Sequence, residues 1–447
     1  MTERYDLVLT GATVVNHDGE SARDIGIRDG RIAALGAIGR GRAETTLDLA
    51  GLHVLPGVID TQVHFREPGA EHKEDLESGS RAAVMGGVTA VFEMPNTKPE
   101  TTDGDRLADK VRRATGRMHC DFAFFVGATS GNLDEVPALE RLPGAAGIKV
   151  FRGSSTGDLL LESPPDLDRL FARLNRRAAF HAENEARLRA RLGHRRDGDP
   201  ASHPVWRDAQ AALEATVELT ALAERHGKRI HILHVSTADE MAYMASHKAL
   251  VSVEVTPHHL TLAGPEDYAR LGTLIQMNPP VRDASHREAL WQAVADGTAD
   301  ILGSDHAPHT LEEKAKPYPA SPSGMAGVQT LVPVMLNEVG RGRLSLARFV
   351  DMTSHGPARL FNLAGKGRIA AGYDADLTVV DLKRRETITN QWIASRCGWT
   401  PYDGLAVTGW PVGTFVRGRR VMWQGELVGP SSGRAVRFAE AYSGVAG

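Results

Sequence analysis

Residues 208–236, DAQAALEATVELTALAERHGKRIHILHVS, contain a helix-like stretch, a glycine, and then a strand-like run that ends in histidine. Apolar residues recur every three or four positions in the first part, which is typical of an amphipathic helix. The run RIHILHVS is short and apolar and follows the helix breaker Gly227, so it predicts a buried strand. The stretch therefore predicts one helix–strand unit with His234 at the carboxyl end of its strand.

The same alternation extends through the middle of the chain. The strand-like runs GVTAVFEM, DFAFFVGA, GIKVF, AAFHAE, LVSVEVTP and ADILGSDHAP alternate with helix-like stretches such as DLDRLFARLNRRA and HREALWQAVADG. This texture is typical of a (β/α)8 barrel, and a doubly wound sheet shares it. No G-x-G-x-x-G motif follows the first strand, which weakens the dinucleotide-binding form of such a sheet. We therefore expect a (β/α)8 TIM-type barrel over residues 58–361.

The two ends of the chain have a different texture, with short strands separated by turn residues. Examples are YDLVLTGATVV and DIGIRDGRIAAL near the start, and ADLTVVDL and PVGTFVRGRRVMWQGELV near the end. Gly, Asp and Asn between apolar runs are signals for turns. Because chain termini often lie close together, we expect residues 1–57 and 362–447 to form one discontinuous β-sandwich domain.

Composition excludes several classes of protein. The 447 residues are 42% apolar and 24% charged, and 52 Lys and Arg against 56 Asp and Glu give a net charge of −4. This balance argues against a nucleic-acid binder or a protein that binds anionic membranes, but one arginine suffices for a small anionic substrate. The only cysteines are Cys120 and Cys397, and we find neither a signal peptide nor a transmembrane span. We expect a cytoplasmic protein.

Polar residues that can carry chemistry follow the predicted strands. Five lie at or just beyond a strand's carboxyl end: His64, Lys149, His181, His234 and Asp305. In a barrel these ends converge on one face, where active sites form. Histidine is the commonest metal ligand, and a neutral buried lysine can take up carbon dioxide to become an anionic, metal-bridging carbamate. Each residue alone also has a structural interpretation, but their joint occurrence in this order predicts a metal site.

Several motifs resemble those of dihydroorotases, in the same order and over nearly the whole chain. They are DTQVHFREPG, SGSRAAVMGGVTAVFEMPNT, GIKVF, HAEN, HILHVS, VTPHHL, MNPPVR and SDHAPHT. REPG together with MPNT is the specific part, because allantoinases and hydantoinases share the barrel, the lysine and the last histidines but not that pair. The resemblance implies a cyclic amidohydrolase of pyrimidine biosynthesis that reversibly hydrolyses dihydroorotate to N-carbamoyl-L-aspartate.

The resemblance also implies roles for individual residues. The metal ligands would be His64, Lys149, His181, His234 and Asp305. Lys149 would be N-carboxylated and bridge zinc ions, and Asp305 would also transfer the proton. The substrate-binding residues would be Arg66 and Asn96, which hold the substrate carboxylate, together with Asn278 and His309. Arginine suits this task because its planar guanidinium binds a carboxylate through two hydrogen bonds.

One position departs from the family pattern. The first strand of the family usually carries His-x-His, and here the first of these positions is Gln62. A neutral amide oxygen is a much poorer zinc ligand than imidazole. We therefore expect one or two zinc ions per chain, with the second position weakened by Gln62.

Two other readings stay open at this point. The first is an allantoinase- or hydantoinase-type ring amidase, which Arg66 beside Asn96 disfavours because a hydantoin need not carry a carboxylate. The second is a non-catalytic dihydroorotase-like scaffold that binds a partner such as aspartate transcarbamoylase. Only Gln62 favours the scaffold hypothesis. A non-catalytic scaffold should have lost several metal ligands, and here only one is replaced. The sequence leaves open whether the chain forms a homo-oligomer. The Pro-, Ser- and Lys-rich segment 307–327 has the composition of a mobile loop over the pocket.

Overall fold

The computed structural model describes residues 4–38, 41–155 and 159–439. The β-strands are β1 (Tyr5–Thr10), β2 (Thr13–Asn16), β3 (Gly19–Ala22), β4 (Asp24–Arg28), β5 (Arg31–Gly36), β6 (Ala43–Asp48), β7 (His53–Pro56), β8 (Val58–Val63), β9 (Val88–Glu93), β10 (Asp121–Gly127), β11 (Ala145–Phe151), β12 (Ala178–His181), β13 (Ile230–Ile232), β14 (Val251–Val255), β15 (Ile301–Leu302), β16 (Leu377–Thr387), β17 (Ala406–Val416), β18 (Arg419–Trp423) and β19 (Glu426–Leu427).

The α-helices are α1 (Leu76–Met85), α2 (Gly104–Ala114), α3 (Val136–Leu139), α4 (Pro164–Arg173), α5 (Glu185–Ala190), α6 (His203–Trp206), α7 (Ala209–His226), α8 (Ala238–Ala245), α9 (Pro257–Thr261), α10 (Glu266–Leu271), α11 (Ala284–Asp296), α12 (Leu311–Lys314), α13 (Leu331–Gly340), α14 (Leu346–Val350) and α15 (Gly356–Leu360). Short 3₁₀ helices span Leu192–His194, Pro200–Ser202, Gly272–Ile275 and Asn390–Trp392, and a π-helical turn spans Asp351–His355.

The barrel is a sheet of eight parallel strands, β8 to β15, in which neighbours in sequence are neighbours in space. It closes where β8 meets the segment after β15, since the His64 amide donates to the His306 carbonyl at 2.7 Å and Val63 pairs in parallel with His306. Strand β10 is buried at every residue, as expected for a strand covered by the barrel interior on one face and helices on the other. The predicted (β/α)8 barrel is confirmed.

Helix α7 and strand β13 illustrate how the sequence builds one barrel unit. Asp208 caps the helix by accepting a hydrogen bond from the Ala211 amide at 3.1 Å. The helix ends at Gly227, whose φ of 61° lies in the left-handed region that glycine tolerates best. The chain then turns directly into β13, and His234 follows at the carboxyl end of this strand. Local capping therefore determines where this histidine enters the active face.

The two ends of the chain meet in a seven-stranded sheet with the order β19-β18-β17-β16-β7-β2-β3. In this sheet β16 pairs antiparallel with β7, with Val379 opposite Val54. The N-terminal segment alone forms a second sheet of four strands, β5-β4-β1-β6.

The two terminal sheets share one apolar core. Leu9 and Ile25 of the four-stranded sheet belong to the same buried cluster as Val54, Val379 and Phe415 of the seven-stranded sheet. Two sheets that bury their inner faces against each other form a β-sandwich, so the predicted fold class is confirmed. The domain limits after residues 57 and 361 stay a prediction. Within the described part of the chain, no helix has the length and apolar character needed to cross a bilayer.

Candidate active site

One cavity lies at the carboxyl ends of the barrel strands. Its walls are formed by Gln62, His64, Arg66, Asn96, Lys149, Phe151, Ser155, His181, His234, Met277, Asn278, Asp305, Ala307, Ser323 and Gly324. The structure therefore brings together every residue predicted for the site except His309, which lies immediately behind the cavity wall. Strand β8 and the residues after it contribute three members at alternate positions, because successive side chains of an extended segment point to opposite faces.

Three of these residues have unusual backbone conformations. Arg66, His234 and Asp305 have φ values of 62°, 39° and 46°. Non-glycine residues seldom adopt this left-handed region, and they cluster at functional sites when the surrounding structure holds them there. The chain thus accepts local strain at the positions where it turns these side chains toward the cavity.

His64 and Asp305 form the first pair of candidate ligands. Asn96 Oδ1 lies 2.8 Å from His64 Nδ1 and can only accept, so the ring proton lies on Nδ1. Burial and the charge of Arg66 keep the pKa of His64 well below its ordinary value, so the ring is neutral. The lone pair of His64 Nε2 then faces Asp305 Oδ1 at 3.2 Å. Two acceptors at this distance need a proton or a cation between them.

His181 and His234 form the second pair. His181 Nδ1 lies 3.1 Å from His234 Nε2, and His181 Nε2 lies 3.0 Å from Glu183 Oε2. Burial opposes ionisation of Glu183, but the charge of Arg207 outweighs it and lowers the pKa of this carboxyl. Glu183 is therefore ionised and lies beside the His181 ring, although this contact does not have hydrogen-bond geometry. A carboxylate behind a histidine ring is typical of metal-binding histidines.

Lys149 interacts electrostatically with members of both pairs. Its charge acts on His64, His181, His234 and Asp305, and its side chain is 1% exposed. Burial lowers the pKa of Lys149 far below that of a free lysine, with Asp305 and Glu254 opposing this shift. Burial likewise raises the pKa of Asp305. A lysine with a lowered pKa carries the neutral amine that carboxylation requires.

The side chains at this site include the kinds of groups that bind a metal ion. Within the described residues, no three His, Cys, Asp or Glu side chains are grouped as ligands around a single point. The candidates form two pairs that line one cavity with Lys149, and His181 Nε2, His234 Nδ1 and Gln62 Oε1 are buried without a hydrogen-bond partner. Neutral imidazoles together with a carboxylate are the donors that zinc prefers.

Gln62 contacts the same carboxylate as His64. Its Nε2 donates to Asp305 Oδ1 at 3.0 Å, so the amide helps to orient Asp305 although it lacks imidazole. The amide dipole thus occupies the place where the family pattern has its first histidine.

Arg66 is a buried cation at the wall of the cavity. It is 5% exposed, and its Nε donates to the Pro308 carbonyl at 3.1 Å. Burial lowers its pKa to about 10, which leaves the guanidinium charged at neutral pH. Among the described residues, no carboxylate forms an ion pair with Arg66. A buried charge without a protein partner is costly and favours an anionic ligand.

The imidazole ring of His309 lies next to the guanidinium of Arg66. Lys73 Nζ, which can only donate, lies 3.1 Å from His309 Nδ1, so the ring proton lies on Nε2, 3.1 Å from the Ser323 carbonyl. His309 Nε2 is also 3.3 Å from Arg66 Nη2. His309 therefore packs against the guanidinium of Arg66 and close to Gly324 of the cavity wall.

Sequence reasoning missed two residues that orient the predicted ones. Glu183 follows His181 by two positions in the motif HAEN, and alternation along an extended segment was a usable signal for it. His203 Nε2 lies 3.0 Å from Asn278 Oδ1, but 75 positions separate them in sequence, so no local pattern could reveal this contact. The segment 307–327 supplies Ala307, Ser323 and Gly324 to the wall, which agrees with its expected place over the pocket.

Comparisons with known proteins identify the family. Residues 53–421 match the model of the amidohydrolase family. A dihydroorotase of Halobacterium salinarum is 40% identical over 422 residues, which cover 93% of this chain and 96% of the relative. An allantoinase of Rubrobacter xylanophilus is 37% identical over 450 residues, which cover 97% and 98%. The solved structure of an L-hydantoinase (dihydropyrimidinase) from Arthrobacter aurescens superposes with a TM-score of 0.92 at 32% identity and covers 97% of this chain and 99% of that chain.

These relatives span nearly the whole chain, including the terminal sheets that flank the barrel. The fold, the cavity at the strand ends and the relatives agree on one class of enzyme. The chain therefore belongs to the amidohydrolase family, within its hydrolases of small cyclic amides.

Proposed function

We propose that this chain is a zinc-dependent dihydroorotase, which reversibly hydrolyses dihydroorotate to N-carbamoyl-L-aspartate. The observation that carries the proposal is Arg66, a buried and charged guanidinium at the cavity wall without a carboxylate partner among the described residues. Asn96 lines the same cavity, and dihydroorotate carries a carboxylate that both side chains can bind. Hydantoin and allantoin rings need no such group. The similarity to curated dihydroorotases supports the same assignment.

The metal ligands in this proposal are the two pairs and the lysine. His181, His234 and a carbamate on Lys149 would hold one zinc ion, and His64, Asp305 and the same carbamate would hold a second one more weakly. When bound, zinc supplies a water nucleophile at neutral pH and polarises the ring carbonyl.

The protein's own residues orient the substrate and move the proton. Arg66 and Asn96 hold the carboxylate, which aims the ring amide at the strand ends. The Pro308 carbonyl fixes Arg66 by accepting from its Nε, and His203 fixes Asn278. Asp305 accepts a proton from the attacking water and delivers it to the departing ring nitrogen, a role that its raised pKa favours.

An assay with three substrates tests the proposal. We expect the purified, zinc-loaded protein to hydrolyse dihydroorotate, and to form it from N-carbamoyl-L-aspartate, with a kcat/KM at least about tenfold above that for allantoin or hydantoin. Turnover of allantoin or hydantoin in clear preference to dihydroorotate would reject it.

Allantoin hydrolysis is the second candidate, because the relative from Rubrobacter xylanophilus is 37% identical. The allantoin measurement of this assay decides between the two.

Arg66→Ala should lower kcat/KM for dihydroorotate by an amount that corresponds to about 2–5 kcal/mol of transition-state binding free energy. This is the range for removing one partner of a buried charged pair. Zinc content should not change, because Arg66 is not among the proposed ligands. Arg66→Lys is the matched control, and it should recover part of the loss because it keeps the charge without the planar fork. Equal turnover of dihydroorotate by Arg66→Ala and the parent would remove Arg66 from the substrate site.

Gln62 should make one of the two zinc positions weak, because an amide oxygen suits magnesium or calcium better than zinc. We expect purified protein to hold clearly fewer than about two zinc ions per chain. Gln62→His should tighten the weaker position by about 10- to 100-fold and raise activity at limiting metal. Gln62→Ala serves as the control, since it removes the hydrogen bond to Asp305 without adding imidazole. Zinc titration of chelator-treated protein measures both positions, and two equally tight sites in the parent would contradict the prediction.

We also propose a cytoplasmic location and leave homo-oligomer formation to a sedimentation measurement. Both Cys120 and Cys397 are buried free thiols, which suits a reducing compartment. The near-neutral charge balance gives no reason to expect nucleic acid or membrane as a partner.

A further inference from the structure

A second concave surface lies at the opposite end of the barrel from the catalytic cavity. It has a volume of about 390 Å³, within the size range of small-molecule sites. We call it the basal cleft, and its lining comprises Ala146, Leu174, Asn175, Arg176, Arg177, Gly227, Lys228, Arg229, Arg359, Leu360, Phe361 and Asn362.

The basal cleft is separated from the catalytic cavity by the length of the barrel strands. Arg177 directly precedes β12, whereas His181 ends the same strand. At about 3.3 Å per residue, four residues place them about 13 Å apart along the strand. A ligand in the basal cleft therefore does not touch the catalytic residues.

The charge of the basal cleft is unbalanced. It is lined by five cationic residues, Arg176, Arg177, Lys228, Arg229 and Arg359, and by no acidic residue among those that the structure describes. The whole chain, in contrast, has a net charge of −4. A concave surface with charges of one sign concentrates the potential and attracts counter-ions of the opposite sign.

Arg177 is held in place by the protein while part of its guanidinium stays unused. Its Nη1 donates to the Ile230 carbonyl and to Ser252 Oγ, both at 2.9 Å. Its Nε is buried and has no hydrogen-bond partner. Among the described residues, no carboxylate forms an ion pair with Arg177, although Asp300 acts on its charge from nearby. The arginine is thus preorganised at the wall of the basal cleft.

Cations at this end of a barrel can also have a purely structural role. The helices end here, and their last carbonyl groups attract positive charge. Lys228 serves this purpose, since its Nζ donates to the Leu174 carbonyl just after α4, at 2.6 Å. Arg229 and Arg359 are exposed and form no ion pair within the described part of the chain. Both are close enough to Arg177 to lower its pKa, so helix capping does not explain why the three guanidinium groups cluster.

We propose that the basal cleft is a binding site for a small oligophosphate anion, of the pyrophosphate class, held by Arg177, Arg229 and Arg359. A guanidinium binds phosphate oxygens through paired, charge-assisted hydrogen bonds. Several arginines around one cleft match a multiply charged anion better than a single carboxylate. The oligophosphate is either free or part of a nucleoside diphosphate.

Calorimetric titration at 0.15 M salt tests the site with sodium pyrophosphate and with ADP as probes. We expect the parent to bind pyrophosphate with a submillimolar Kd. The double variant Arg229→Glu/Arg359→Glu should bind at least about tenfold more weakly, because it replaces two charged donors by repelling carboxylates. Both arginines are exposed and form no ion pair within the described residues, so the variant should keep its fold, which circular dichroism and the midpoint of thermal unfolding measure.

The matched control is Arg23→Glu/Arg385→Glu, which makes the same change in net charge at exposed positions outside the basal cleft. Its affinity should change less than about twofold, because distant surface charges are screened by salt. All three proteins carry the same catalytic residues, so any anion that binds there cancels in the comparison. No binding by the parent up to about 10 mM, or equal weakening in both double variants, would overturn the proposal.

The second probe identifies the source of the phosphate. ADP that binds at least about tenfold more tightly than pyrophosphate would assign the site to a nucleoside diphosphate, and equal affinity would assign it to the free oligophosphate. Both results support the site. Failure of the dihydroorotate assay would leave this test untouched, since it does not depend on the catalytic cavity.

Discussion

Lys149→Ala is expected to lose bound zinc and to lower the rate of dihydroorotate hydrolysis by about 10³-fold or more. The reason is that Lys149, as the proposed carbamate, is the only ligand shared by both metal positions. Loss of the metal removes several kcal/mol of transition-state stabilisation, and each 1.4 kcal/mol is about a factor of ten in rate. Zinc content by atomic emission and kcat/KM with dihydroorotate measure the two effects together.

A rescue experiment separates a ligand role from a structural one. Short carboxylic acids, or bicarbonate with a small amine, can enter the space left by the side chain and should restore part of the zinc and part of the rate. Lys110→Ala is the control, because Lys110 is also a buried lysine but is paired with Glu93 away from the cavity wall. This control should retain zinc in its folded fraction. A folded Lys149→Ala protein with full zinc and full activity would assign the lysine a purely structural role.

Asp305→Asn should lower kcat by about 10² to 10⁴-fold, the range for loss of a general acid–base group. The substitution keeps the size of the side chain and removes the basic oxygen that faces His64 Nε2 at 3.2 Å. Because Asp305 is also a proposed ligand, kcat should be expressed per bound zinc after loading at saturating metal. A near-normal kcat per zinc would exclude Asp305 as the base.

The pH profile provides a second readout for the same residue. A carboxylate acts as a base only when deprotonated, so activity should fall as the pH drops through its pKa. Burial raises the pKa of Asp305 in the metal-free protein, whereas a bound zinc ion would lower it again. The predicted signature is therefore the presence of this acid-side fall in activity, the acid limb of the profile, and not its exact pH. The limb should be absent from the residual activity of Asp305→Asn. An unchanged acid limb would mean that another group controls it.

The barrel and most of its cavity could be predicted from the sequence because both depend on local patterns. The periods of about two and 3.6 residues identify strands and helices one by one. Parallel strands in a barrel share one carboxyl end, so His64, Lys149, His181, His234 and Asp305 had to converge once the barrel was assigned. The proposed metal chemistry rests on residue type, and the structure added the pairing of these side chains.

Other features depended on contacts that no local pattern contains. The substrate-binding role of His309 stays a prediction, but the direction of its ring depends on Lys73 and the Ser323 carbonyl, which only the tertiary structure brings to it. From the sequence, Gln62 was interpreted only as the replacement of a metal ligand. In the structure its side-chain amide donates a hydrogen bond to Asp305, 243 positions away.

The sequence by itself determined the order of the elements, the class of fold and the positions that end each barrel strand, since side-chain periodicity and capping act within a few residues. Only the tertiary structure decided which side chains touch. The basal cleft shows this most clearly, because Arg177 precedes β12, Arg229 precedes β13 and Arg359 lies in the last turn of α15. Each alone resembles an ordinary surface cation. Packing of the helices against the barrel brings these distant segments together, and the direction of each side chain is then fixed by long-range contacts that the linear pattern does not encode.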